Sequence, residues 1–170
     1  MNIALIGYRG TGKSAVSKRL AVATGKKAVS LDEEISTQAD MSIPQIVDTR
    51  GWSGFRDLEQ AVTAQYSAMD DLVIDCGGGV ILRKENVVAL KSNATLVWLK
   101  ASPEIITQRI ATSTERPALV DGKTFLEEIE EVLAARTPLY EDASDFSVDT
   151  DALSPEEITE VILSKLHPHS

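Results

Sequence analysis

The pattern of apolar runs predicts a three-layer α/β domain: a five-stranded parallel sheet with helices on both faces. Three observations lead there. Short apolar runs alternate with longer amphipathic stretches along the chain, the order that builds strand–helix–strand units. The runs are nearly continuous in apolar residues, as strands buried on both faces are. The length of 170 residues suits one domain of ordinary size, and no repeat or low-complexity linker divides it.

Residues 2–6 (NIALI) stop at Gly7 and read as a buried strand. Residues 13–24 carry Ala15, Val16, Leu20 and Ala23 at helical spacing and end at Gly25. Residues 27–31 read as the second strand. Residues 42–50 read as a short helix, with Ser42 as N-cap, Gln45 three residues on and Gly51 at the end. Residues 54–69 read as a longer helix. Residues 72–75 form a third strand that runs into Gly77, Gly78 and Gly79, and residues 94–99 a fourth. Pro103 sits in the first turn of a helix over 103–111, behind a Ser102 cap. Residues 124–135 are helical, acidic early and closed by Arg136. Residues 146–148 make the fifth strand, and Ser154 to Glu157 open a last helix.

Composition narrows the function. Hydrophobic residues at 43% and charged residues at 25% are globular values. The formal charge of −9 argues against a general nucleic-acid binder, which needs a basic face. No apolar run is long enough to span a bilayer, and residues 1–6 lack the basic start and long apolar run of a signal peptide. The single cysteine, Cys76, has no partner for an internal disulfide, which fits a reducing cytoplasm.

The strongest signal is Gly7-Tyr8-Arg9-Gly10-Thr11-Gly12-Lys13-Ser14, a full G-x-x-x-x-G-K-[ST] phosphate loop between a strand and a helix. Its glycines permit positive φ and let main-chain N–H groups approach a phosphate chain. The following helix adds partial positive charge. Lys13 can reach the β- and γ-phosphates of a nucleotide such as ATP, and the Ser14 hydroxyl can bind Mg²⁺. No base-reading N-K-x-D motif of a GTPase switch occurs. The residues leave three readings open: a small-molecule kinase of one acceptor or another, a nucleoside monophosphate kinase, and a non-catalytic nucleotide-binding regulator.

Further features stand near the carboxyl ends of the predicted strands, where ligands of open parallel sheets bind. They are Asp32-Glu33-Glu34, Phe55-Arg56-Asp57-Leu58-Glu59, the glycine triplet, Arg116-Pro117-Ala118-Leu119, and Arg136-Thr137-Pro138-Leu139-Tyr140. In this order and with the phosphate loop, the set resembles the shikimate kinases over nearly the whole chain. The resemblance implies a P-loop kinase fold as one domain over 1–170, with an acceptor region at about 32–60 and a mobile lid at about 112–123. It implies transfer of the γ-phosphoryl group of ATP to the 3-hydroxyl of shikimate, with Mg²⁺, by a cytoplasmic monomer with no nucleic-acid or membrane partner.

The same resemblance implies roles for residues. Gly10, Thr11, Gly12, Lys13, Ser14 and Ala15 would hold the ATP phosphates, Arg109 would lie beside the adenine, and Arg116 would close over the phosphates with the lid. Asp32 would stand near the reacting hydroxyl and in the outer shell of the metal. Glu34, Arg56, Gly77, Gly78, Gly79 and Arg136 would complete the acceptor site, the arginines gripping its carboxylate. Two planar guanidiniums make a good clamp for a planar carboxylate. Lys13, Asp32 and Arg116 are the catalytic candidates.

Two positions depart from the family pattern. Glu34 stands where a second aspartate is usual, and Trp52 where a glutamate is common. Trp52 is expected to pack a loop, Cys76 and Trp98 to be core, and the run from Glu127 to Glu131 to be a solvated helix face. Arg56 and Glu59, at i and i+3, are expected to pair, which would orient Arg56. His167 and His169 fall in a Pro-containing tail, where disorder rather than ligation is expected.

Overall fold

The computed structural model describes residues 1–110 and 125–167. The segment expected to form the lid, with Arg116, lies outside the described residues, as does His169. Five strands, β1 (Asn2–Ile6), β2 (Lys27–Ser30), β3 (Leu72–Asp75), β4 (Ala94–Lys100) and β5 (Phe146–Asp149), form one sheet in the order β2-β3-β1-β4-β5. Every pairing is parallel. The helices are α1 (Lys13–Thr24), α2 (Leu31–Ala39), α3 (Ile43–Ser67), α4 (Lys84–Lys91), α5 (Pro103–Ile110), α6 (Phe125–Ala143) and α7 (Pro155–Leu166).

The pleat of β1 divides the core in two, because successive side chains point to opposite faces. Ile3 and Leu5 join Val73, Val97 and Leu99 under α1 and α7, whose Val16, Leu20, Ile158 and Ile162 cover them. Ala4 and Ile6 join Ile74, Leu96 and Trp98 on the other face, under Ile35, Ile46, Phe55, Leu90 and Tyr140. Strands buried on both sides therefore carry the unbroken apolar runs seen in the sequence.

Three stretches of the chain differ from the sequence-based expectation. The second strand stops at Ser30, and Leu31 opens α2, a helix missed although Leu31, Ile35 and Ala39 recur at i, i+4 and i+8. The Ser30 side chain caps it by accepting from Glu33 N at 3.3 Å, and three carboxylates occupy its first turn, where the dipole favours them. Within α3, the two helices expected over 42–50 and 54–69 meet at a kink at Gly51, whose φ of 72° and ψ of 174° are non-helical, as the sequence predicts. The Ser42 cap and its Gln45 partner form as expected. A 3₁₀ turn (Val80–Leu82) and α4 follow the glycine triplet and were not anticipated. Finally, α6 continues through Pro138 to Ala143, so Arg136 to Tyr140 lie inside the helix rather than beyond its end. Burial of Tyr140 and Ala143 in the core holds these last turns despite the proline.

Leu96 sits at the centre of this arrangement and is fully buried. Leu96→Ala is expected to cost about 2–5 kcal/mol. In urea denaturation the midpoint should fall at unchanged slope.

Candidate functional site

The phosphate loop leaves β1 and turns over the end of the sheet. Its glycines at 7, 10 and 12 have φ of 144°, 85° and 94°, values that L side chains rarely adopt. A Cβ at Gly7 would also come within 2.5 Å of the Leu99 carbonyl oxygen. Lys13 is almost buried and crosses under the loop, its Nζ donating to the carbonyls of Gly7 (2.6 Å) and Tyr8 (3.0 Å). Thr11 Oγ1 donates to Tyr8 O at 2.9 Å. Arg109 donates to Gly10 O at 3.3 Å and to Thr150 O at 3.1 Å, which ties α5 to the loop.

Ser14, at the start of α1, donates from Oγ to Asp75 Oδ2 at 2.8 Å. Asp75 is the last residue of β3 and is nearly buried; burial pushes its carboxyl up, and Lys13 opposes this. A cleft of about 460 Å³ opens here, with Lys13, Ser14, Ser30, Asp32, Asp75 and Gly78 among its walls. Ser30 and Asp75 were not anticipated as site residues. The sequence signal for Asp75 is a single carboxylate closing an otherwise apolar strand.

The glycine triplet forms the other end of the cleft. An added Cβ at Gly77 would lie 2.8 Å from Asp32 Oδ1 and 3.1 Å from Glu59 Oε2. One at Gly78 would lie 3.6 Å from Arg136 Nη1, and one at Gly79 would collide with the Arg56 guanidinium. Side chains from α2, α3 and α6 thus converge on three residues that have none.

Arg56 is locked in place. Its Nη1 donates to Glu59 Oε1 at 2.8 Å, and its guanidinium carbon lies 5.4 Å from the Trp52 ring centre and 5.1 Å from that of Phe55. Trp52 meets Phe55 edge to face, so it packs as expected and also shelters the arginine. Glu59 is 1% exposed. Burial pushes its carboxyl above the usual range, with Arg56, Arg136 and Arg83 pulling the other way. Arg136 is buried beside Tyr140, whose hydroxyl donates to Gly78 O at 2.5 Å. Burial pushes that phenol up to about 12, so it stays a donor at neutral pH.

Other expected site residues fall differently. Glu34 does not join Asp32 at the cleft; its Oε2 accepts from Tyr66 Oη at 2.6 Å. The reason is α2 itself, since residues two apart on a helix point about 200° apart. Glu128 is buried, 3.9 Å from Arg9, rather than on a solvated face, whereas Glu127, Glu130 and Glu131 are exposed. Cys76 and Trp98 are core, as expected, and burial pushes the Cys76 thiol up. His167 caps the C-terminus of α7. Among the described residues, no helix is long and apolar enough to cross a membrane.

Comparison with known proteins gives one consistent result. The family model described as shikimate kinase matches residues 9–167. A shikimate kinase of Thermodesulfovibrio yellowstonii is 41% identical over 96% of this chain and 94% of its own length. Shikimate kinase 2 of Photorhabdus laumondii is 39% identical over 91% of this chain and 89% of its own. The solved shikimate kinase from Acinetobacter baumannii in complex with shikimate superposes with a TM-score of 0.94 at 28% identity, covering 99% of this chain and 94% of that one. A gluconokinase from Sinorhizobium meliloti shares the fold alone, at a TM-score of 0.59 and 17% identity.

Glu59 makes a testable link between the site and stability. In strong acid both the native and the unfolded chain hold its proton. As pH rises the unfolded chain releases it first, so the native state loses stability until Glu59 itself ionises. Glu59→Gln removes this titration, so its stability relative to the parent should climb as pH rises above the ordinary carboxylate range, at about pH 4, and level once the native Glu59 ionises. Urea denaturation across that range checks it; a difference flat in pH would show that the arginines keep Glu59 ionised throughout.

Proposed function

This chain belongs to the shikimate kinase family, and from that premise we propose that it transfers the γ-phosphoryl group of ATP to the 3-hydroxyl of shikimate. The observation that carries the acceptor is the convergence of Arg56 and Arg136 on the glycine triplet. The guanidiniums stand at Gly78 and Gly79, and Gly77 and Gly78 line the same cleft as the phosphate loop.

The nucleotide end works through the main chain. N–H groups of the loop from Gly10 to Ala15 and the positive end of α1 would hold the β- and γ-phosphates. Lys13 is positioned under the loop by its own carbonyls and would exchange those partners for phosphate oxygens. Arg109, fastened to Gly10, is proposed to border the adenine, and Arg116 to meet the phosphates at the transition state. An arginine in that role contributes on the order of 10³-fold or more in rate.

Mg²⁺ suits the donors present. It takes oxygen ligands, keeps several waters and uses one or two carboxylates rather than a full protein cage. Here the Ser14 hydroxyl is bonded to Asp75, Asp32 lines the same cleft, and among the described residues no group of three or more acidic, histidine or cysteine side chains could hold a metal ion by itself. When bound with ATP the ion supplies charge neutralisation at the phosphates.

At the acceptor end, Arg56 and Arg136 would hold the carboxylate while main-chain N–H groups of Gly77 to Gly79 face the ring. Asp32, pressed against Gly77, stands where it can accept the hydroxyl proton as that oxygen attacks phosphorus and the bond to the β–γ bridging oxygen breaks. The enzyme is proposed to be cytoplasmic, which its single buried cysteine supports, and monomeric, as the family resemblance implies.

ATP turnover in Mg²⁺ with and without shikimate tests the assignment; turnover of gluconate or a nucleoside monophosphate, with none of shikimate, would overturn it. Lys13→Ala is expected to lower kcat by at least about 10²-fold with the fold intact by circular dichroism. Arg136→Ala should raise the KM for shikimate by about 10-fold or more and spare the KM for ATP. Glu34→Gln should move the shikimate KM by less than about twofold, because its carboxylate faces Tyr66.

A further inference from the structure

Two carboxylates border the cleft near Ser14, and their surroundings differ. We infer that Asp75, with Ser14, is the carboxylate that positions the Mg²⁺ of the bound nucleotide, and that Asp32 is left to the acceptor. The inference rests on the kinase reading above and divides labour that the sequence assigned to Asp32 alone.

The first ground is contact. Ser14 Oγ donates to Asp75 Oδ2 at 2.8 Å. A hydroxyl that spends its proton on a carboxylate turns its lone pairs outward, the orientation a cation needs. Asp75 thereby fixes the rotor of the loop serine.

The second ground is position. P-loop enzymes pair the loop hydroxyl with an aspartate at a strand end beside the loop. The strands around this loop end in Ile6, Ser30, Asp75 and Lys100, so Asp75 is the one carboxylate among them. Its neighbour in register across the sheet is Ser30, which also borders the cleft. Asp75 is 8% exposed on a strand paired on both sides, so its carboxylate is held rigidly.

The third ground is where Asp32 points. It stands in the first turn of α2 with Oδ1 against Gly77, at the wall shared with Glu59 and the arginines. That places it toward the acceptor, while Asp75 is bonded to the loop.

Calorimetric titration of ATP, without acceptor, into the parent enzyme, Asp75→Asn and Asp32→Asn tests this, each with and without Mg²⁺. In the parent, Mg²⁺ should tighten ATP binding. Asp75→Asn should lose about tenfold or more of that gain and keep its metal-free affinity. Asp32→Asn should keep the gain while its shikimate-dependent turnover falls. Electron paramagnetic resonance of Mn²⁺ with ADP gives a second readout, in which Asp75→Asn should release the ion and Asp32→Asn retain it. An Asp75→Asn protein with the full Mg²⁺ gain, or an Asp32→Asn protein that loses as much of it, would overturn the inference while leaving the kinase reading in place. A parent enzyme that phosphorylates shikimate yet binds ATP equally with and without Mg²⁺ would overturn the metal reading and this inference together. Should Asp75→Asn fail to fold, Asp75→Ser, which repeats the side chain already present at Ser30, enters the same comparison.

Discussion

The site depends on the pairing of β1 with β3. Their register sets Leu5 beside Asp75, and Cys76 N donates to Leu5 O at 3.1 Å, extending the ladder by one bond. The chain leaving β1 becomes the phosphate loop and the chain leaving β3 becomes the glycine triplet, so two segments some seventy residues apart emerge side by side. Strand order makes this possible: β2 lies outside β3, and β4 lies on the far side of β1. The crevice is the point where successive connections depart in opposite directions, the usual ligand position in such sheets.

Charge explains why the glycine-triplet end is built at a cost. Arg56, Glu59 and Arg136 are taken largely out of water, and buried ion pairs contribute little to stability once desolvation is counted. Two guanidiniums, Arg56 and Arg136, and two carboxylates, Asp32 and Glu59, are gathered at the triplet, in a chain whose formal charge is −9. The glycines matter for the same reason: any side chain there would occupy space the arginines or Asp32 already use. Tyr140 supports the arrangement from beneath, because its hydroxyl holds the Gly78 carbonyl and its ring stacks on Trp98 at 5.7 Å.

Much of this was legible in the residues. The phosphate loop was readable whole, since each of its residue types answers a local requirement and its flanking strand and helix are both evident. The arginines were found through the order of their motifs, not through their surroundings. What escaped was long-range or depended on helix phase. Residues 32–34 were read only as following the second strand, with Asp32 and Glu34 in one site; the helix α2 separates them. Asp75 was hidden because its significance is a contact with Ser14, sixty-one residues away. Glu128 looked like one charge of a solvated run until the fold set it against Arg9. Pro138 and the apparent stop at Arg136 masked the last turns of α6, whose stability comes from tertiary burial rather than propensity.

The chain's two tryptophans both pack against the wall that Arg56 and Tyr140 form at the glycine triplet. Trp52 stands over the Arg56 guanidinium, and Trp98 touches the wall through the ring of Tyr140. An indole's emission responds to nearby cations and to stacked rings. Native fluorescence is therefore a local optical gauge of this pocket from two sides, and replacing either indole by phenylalanine separates the two signals.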